Sequence, residues 1–244
     1  LGEKYHWGRA ALMARLYLFA EGQTEQTFAD ILIKPQLARY DVFMHNPILI
    51  AHAKKKGQVH RGGGRKYVPM KNDIIRFLKQ EKAPDVFFTT MIDLYALHPD
   101  FPGLAESESM RQDPLHRVEF LEQRFAEDIG DNRFIPYIQL HEYEAYLFSA
   151  PKCFEYLDAG RTKEIEALQA IASQYQTPEF INDGLQTAPS KRIMAQFPDY
   201  GKAKSTFGSQ LAEKIGLPVI RSKCSHFDKW MSRLESLNEK GVSS

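Results

Sequence analysis

Between residues 13 and 140 the chain alternates short apolar runs with stretches of helical spacing, and three of the four runs stop at an acidic residue. Arg15 to Ala20 (RLYLFA) ends at Glu21-Gly22. Val42 to His52 (VFMHNPILIAH) is interrupted near Pro47. Asp85 to Ile92 (DVFFTTMI) ends at Asp93, and Arg133 to Leu140 (RFIPYIQL) ends at His141-Glu142. Runs this short, bounded by turn residues, read as buried strands. The segments between them read as helices: Thr24 to Tyr40, with Phe28, Ile31, Leu32 and Leu37 on one face and Pro35 expected to kink or end it, then Val68 to Lys82 and His116 to Ile129. Strand–helix alternation predicts an α/β fold, a mostly parallel sheet flanked by helices. In such sheets ligands bind beyond the carboxyl ends of the strands. Glu21, Asp93, Glu142 and Glu144 all follow strand ends, so three stretches of chain are expected to deliver carboxylates to one sheet edge.

Residues 1–12 do not read as the start of a fold and are taken as a leader or extension before Met13. Residues 13–150 form the expected α/β core. Residues 151–244 read as a mainly helical C-terminal portion packed on it, with breaks near Gly160 and Pro189 and a short last strand at Pro218 to Arg221. Hydrophobic residues make up 43% and charged residues 26% of the 244, which is globular usage and excludes a largely disordered chain. No apolar run reaches the roughly 18 residues of a membrane span. Two cysteines, Cys153 and Cys224, are too few for a disulfide framework and read as buried or incidental thiols in a reducing cytoplasm.

The net charge of +1 hides an asymmetry. Residues 1–80 carry 14 Lys and Arg against 6 Asp and Glu, whereas residues 81–160 carry 6 against 16. A basic lobe beside an acidic one suits a protein that binds a polyanion and also gathers carboxylates around a metal; segregation on solvated faces is the plain alternative.

In Glu21-Gly-Gln-Thr-Glu25, Gly22 is expected to let the backbone bend, Thr24 to cap the helix, and Glu25 to return one turn later to the side of Glu21. Asp93 closes an apolar strand, where an unpaired carboxylate is costly and a cation would relieve the cost. In His141-Glu-Tyr-Glu144, the two glutamates share a face if the strand continues and point about 200° apart if a helix begins. The stretch starts like H-E-x-x-H but has Ala145 in the second histidine position, which excludes a zinc protease. An oxygen-only cluster of Glu21, Glu25, Asp93, Glu142 and Glu144 suits Mg²⁺, or Mn²⁺ with the same ligands. Two such ions about 3.5–4 Å apart can assist phosphoryl transfer. The loop with Lys54, Lys55, Lys56, Arg61, Arg65 and Lys66 around three glycines lacks a Walker A pattern and is expected to grip a nucleic-acid backbone or, failing that, to be a solvated flap. Lys191, Arg192, Lys202 and Lys204 lie close together in sequence. Lys191 or Lys202 is a candidate for stabilising transition-state charge, and Arg192 and Lys204 for further backbone contacts.

Together these motifs resemble the DUF4276 family, uncharacterised bacterial proteins with a TOPRIM-like core. The marks are E-G-Q-T-E at Glu21, I-D-L-Y at Asp93, D-F-P-G at Asp100, H-E-Y-E-A-Y-L-F at His141, A-P-S-K-R at Lys191 and C-S-H-F-x-x-W from Cys224 to Trp230. The resemblance covers nearly all of residues 13–238. TOPRIM folds imply a glutamate after the first strand, an Asp-x-Asp after a later one and bound Mg²⁺. Overcoming-lysogenisation-defect nucleases add a second glutamate, a further acid and a late lysine. Glu21 and Glu25 match the opening pair and Asp93 the first Asp. Glu142 or Glu144 is a candidate for the further acid, and Lys191, Lys202 or Lys204 for the lysine. Tyr95 departs from the pattern, standing where the second Asp would be. The resemblance thus implies a Mg²⁺-dependent nuclease or related phosphoryl-transfer enzyme acting on nucleic acid, DNA or RNA, with an ATPase partner in phage defence; a homodimer is one open assembly state. A toxin cutting RNA and a non-catalytic module binding nucleic acid or a partner protein are the alternatives.

Overall fold

In a computed structural model the structure describes residues 13–50, 66–181, 184 and 186–240. Of the predicted elements, residues 1–12 and the basic loop from Lys54 to Arg65 lie outside the described residues.

The sheet is parallel throughout. β1 (Ala14–Ala20) lies between β2 (Val42–Met44) with β3 (Ile48–Leu49) on one side and β4 (Val86–Asp93) on the other; β5 (Phe134–Ile135) and β6 (Ile138–Gln139) extend it beyond β4. Each outer line of strand is broken by proline, at Pro47 and Pro136, whose missing N–H cannot serve a ladder. The helices include α1 (Gln23–Phe28), α2 (Lys34–Ala38), α3 (Tyr67–Gln80), α4 (Leu104–Ser107), α5 (Pro114–Ile129), α6 (Thr162–Ala172), α7 (Pro189–Gln196), α8 (Lys204–Ile215), α9 (Leu217–Lys223) and α10 (Ser225–Glu235).

Strand alternation divides the core. Leu16, Leu18 and Ala20 join one apolar cluster with α1, α2 and the helices after residue 150, whereas Phe19, Phe88 and Ile92 join another with α3 and α5. α5 shows why these segments are helical. Asp113 caps it by accepting the His116 N–H, Pro114 opens it, Val118, Leu121, Phe125 and Ile129 are buried along one stripe, and Gly130 at φ 71° ends it.

Three expectations need correction. The predicted helix face from Phe28 to Leu37 is displaced, because Ala29–Ile33 forms a π turn between α1 and α2. The wider turn rotates Ile31 outward and brings Ala29 and Ile33 into the core. Pro35 sits just after that turn without ending the helix, which runs on to Ala38. Thr24 does not cap α1: the helix starts at Gln23, so Gly22 holds the cap position with no side-chain bond. Pro218 to Arg221 is not a strand but lies in α9, where Pro218 occupies a first-turn position that tolerates its missing N–H.

The C-terminal helices reach the sheet through Trp230. Its ring stacks on Tyr137 at 4.2 Å, and its Nε1–H donates to Thr89 Oγ1 at 2.9 Å; that hydroxyl donates to the Ile135 carbonyl at 2.6 Å. Trp230→Ala is expected to lower unfolding free energy by about 3–5 kcal/mol. Trp230→Phe, which keeps most of the apolar body and loses the donor, should cost less than half of that, and urea titration of both variants measures the two values.

Candidate functional site

β1 has β2 on one flank and β4 on the other, so the chain reverses its direction of progress across the sheet between them. The crevice beyond their carboxyl ends is the place where open α/β sheets bind ligands. Glu21 leaves β1 with its N–H still donating to the Met91 carbonyl at 3.0 Å, and its Oε2 accepts the Asp93 N–H at 2.9 Å. The first acid is therefore fixed by the backbone of the neighbouring strand. Gly22 is extended, at φ −140°, so the predicted sharp bend is not its reason. A Cβ there would lie 2.8 Å from Glu25 Oε2, and glycine instead lets that carboxylate lie against the chain.

Asp93 Oδ1 accepts the Tyr143 N–H at 3.1 Å. The stretch after β6 is neither the continued strand nor the α-helix that its spacing allowed. His141 takes a left-handed conformation at φ 62°, rare for a residue with a Cβ, and its carbonyl accepts the Tyr95 N–H at 2.9 Å. Glu142 is then extended and Tyr143–Ser149 is 3₁₀. Both glutamates are buried, and both influence Asp93. Glu142 accepts the Ser190 N–H at the start of α7. Glu144 Oε1 accepts the Tyr200 hydroxyl at 3.2 Å and faces Lys204 Nζ at 2.9 Å.

Close packing brings that lysine in. A Cβ on Gly208 of α8 would lie 2.9 Å from Tyr200 Oη and 3.2 Å from Tyr143 Cε1, and the Tyr143 hydroxyl donates to the Gly208 carbonyl at 3.1 Å. Ser190, Tyr200 and Gly208 were not among the predicted site residues. Ser190 stands inside A-P-S-K-R and Tyr200 two residues before Lys202, but only the basic residues there carried a chemical signal.

The acids feel one another. Burial pushes the Glu25 carboxyl up to about 7, with Glu21 and Glu144 adding to it. Asp93 lies well above the usual carboxylate range, through burial first and then Glu25, Glu21, Glu142 and Glu144. Glu142 is raised by burial and by Glu144. Burial alone would lower Lys204, but Glu144, then Glu142 and Asp93, hold it above the ordinary lysine value. Glu21, Glu25, Asp93, Glu142, Glu144 and Lys204 thus form one electrostatic unit.

Of the other predicted residues, those that are described are exposed or held by other partners. Lys191 is exposed on α7, and Lys202 pairs with exposed Asp199 at 2.6 Å. Arg192 donates to the Thr187 carbonyl and the Tyr175 hydroxyl and covers the Tyr175 ring. Lys66 is exposed just before α3, and Tyr95 is exposed after Asp93. Lys54, Lys55, Lys56, Arg61 and Arg65 lie outside the described residues.

All five acids offer hard oxygen donors, which is the chemistry that Mg²⁺ and Mn²⁺ favour. Among the described residues, no three Asp, Glu, His or Cys side chains are arranged around a common ion position as they stand. Among the described residues, the Lys204 ammonium meets the cluster at Glu144. Among the described residues no helix is long and apolar enough to cross a membrane.

Residues 20–235 match a family model described as Domain of unknown function (DUF4276). No curated protein and no solved structure matches the chain.

A carboxyl with a higher proton affinity in the folded than in the unfolded chain stabilises the fold at low pH, and that stability is lost as pH rises through the folded value. Glu25 and Glu179, both raised to about 7, and Glu122, raised to about 8, act in this direction between their ordinary value of 4.5 and those values. His226, lowered to about 4, acts oppositely below 6.5. Melting temperature should therefore fall from pH 6.5 to pH 8.5. Glu25→Gln should flatten part of that slope and raise stability at pH 8.5 by on the order of 1–3 kcal/mol. An unchanged slope in this variant would remove Glu25 from the coupled cluster.

Proposed function

The chain belongs to the DUF4276 family, and from its buried acid cluster we propose that it is a metal-dependent phosphoryl-transfer enzyme that cuts nucleic acid. One observation carries the reading: carboxylates from three separate stretches of chain are gathered beyond β1 and β4, where burial and then neighbouring acids raise the proton affinity of Glu25, Asp93 and Glu142. Like charges are costly to bury together, and strongly shifted acids in a crevice mark functional sites. The family resemblance to TOPRIM proteins points in the same direction.

In this reading Asp93, Glu142 and Glu144 hold Mg²⁺ or Mn²⁺, and Glu25 completes the acidic wall. The ion would supply Lewis-acid stabilisation of phosphoryl oxygens and a nucleophilic water. Glu21, oriented by the Asp93 N–H, serves as ligand or as base for the attacking water. Lys204 is the lysine placed to meet negative charge developing on the phosphate. Lys191 and Lys202, both exposed, are better suited to contacts with the nucleic-acid backbone, alongside the basic stretch from Lys54 to Lys66.

A non-catalytic module that binds nucleic acid is the second reading, favoured by Tyr95 in place of a second acid and by the pairing of Glu144 with Lys204. The two separate in a cleavage assay with Mg²⁺ or Mn²⁺ in which single- and double-stranded DNA and RNA are offered side by side. Cleavage by the wild type should fall at least about 100-fold in both Glu21→Gln and Asp93→Asn. Cleavage that persists in both variants places the chemistry elsewhere. Binding without cleavage under either metal establishes the module.

A further inference from the structure

Lys204 stands in an unfavourable place for a cation. It is the first residue of α8, a 12-residue helix, and the positive end of a helix dipole repels an ammonium there. The cap residue, Ala203, offers no side-chain partner to the helix end. Lys204 is nonetheless drawn inward to Glu144, which is 3% exposed, at 2.9 Å. The Tyr200 hydroxyl shares the same Glu144 oxygen, and Gly208 allows α8 to approach closely enough for both contacts. Glu142 and Asp93 add to the attraction.

We propose that the Lys204 ammonium is the resident cation of the acid cluster, and that a divalent ion and Lys204 compete for the same carboxylates. With Glu144 turned to the lysine, that carboxylate is closed on an internal charge. A divalent ion taking Glu144 would expel the lysine toward the mouth of the crevice, where its 39% exposed side chain already has access to solvent. There it could meet a phosphate. Ion binding and release of the lysine would then be one event, so the enzyme would be armed only when loaded. The inference rests on the proposed metal-dependent reading and adds to it a lock that opens on loading.

Two measurements on the full chain test it. Calorimetric titration with MnCl₂ compares the wild type with Lys204→Met. Because competition is reciprocal, removing the lysine should tighten Mn²⁺ binding by roughly 5- to 150-fold. Amine acylation followed by peptide mass spectrometry reads the lysine itself. Labelling of Lys204 should rise about threefold or more on saturation with MgCl₂, while exposed Lys163 and Lys191 stay constant. If the wild type binds the ion and Lys204 labelling does not change, the lock is overturned and the metal reading stands. If only Lys204→Met binds the ion, the lock is supported in its strongest form. If neither protein binds Mn²⁺ or Mg²⁺, the lock and the metal reading both fall.

Discussion

The Asp93 N–H donates to Glu21, the Tyr143 N–H donates to Asp93, and the Ser190 N–H donates to Glu142. Each of these donors belongs to the main chain of a different segment from the acid that it serves. A carboxylate that accepts a backbone N–H is fixed in position without gaining a counter-charge. The acids are therefore oriented by the fold, and Lys204 adds a positive charge at Glu144. The location of the site follows from this mode of attachment. An acid can also be held by an arginine partner. Elsewhere the protein uses that solution: Arg15 with Asp85, Arg117 with Glu108 and Arg221 with Glu235 are ordinary ion pairs.

The same attachments tie the C-terminal helices to the sheet. Ser190, Tyr200, Lys204 and Gly208 all come from beyond residue 180, yet they contact acids and tyrosines delivered by the sheet. One apolar cluster follows the same path, running from Leu16 and Leu18 through Phe28 and Tyr146 to Phe227 and Leu234. Packing and site thus depend on one another. The tyrosines show how. Tyr143 is buried in that cluster, while its N–H reaches Asp93 and its hydroxyl reaches α8.

Much of this was legible in the sequence because strands that are buried on both faces read as apolar runs, and an acid at the end of such a run is conspicuous. Glu21, Asp93, Glu142 and Glu144 were placed by that logic alone. Thr24 and Ile31 were misread, because the start of a helix shifts by a residue or two and a π turn leaves no mark in hydrophobic spacing. The left-handed turn at His141 was equally hidden, since a histidine gives no warning of a positive φ, and without it the choice between strand and helix for Glu142 and Glu144 had no answer. The lysine that meets Glu144 could not be chosen either. Lys191, Lys202 and Lys204 are alike in sequence, and what separates them is the glycine at 208, whose role is a distance between two helices.

That distance makes the site a property of side-chain volume as much as of charge. Gly208 lies one helical turn beyond Lys204 on α8, so the face that approaches Tyr143 and Tyr200 is also the face that carries the ammonium toward Glu144. A larger residue at 208 would press first on Tyr200, whose hydroxyl holds the same Glu144 oxygen as the lysine. Displacing α8 would leave Glu144 buried with neither donor, and a carboxylate stripped of its partners in that position would take up a proton or pull in a cation from solvent. The small residue is what allows a buried acid, a tyrosine and a lysine to meet at one oxygen, and the chemistry available to the crevice depends on keeping it small.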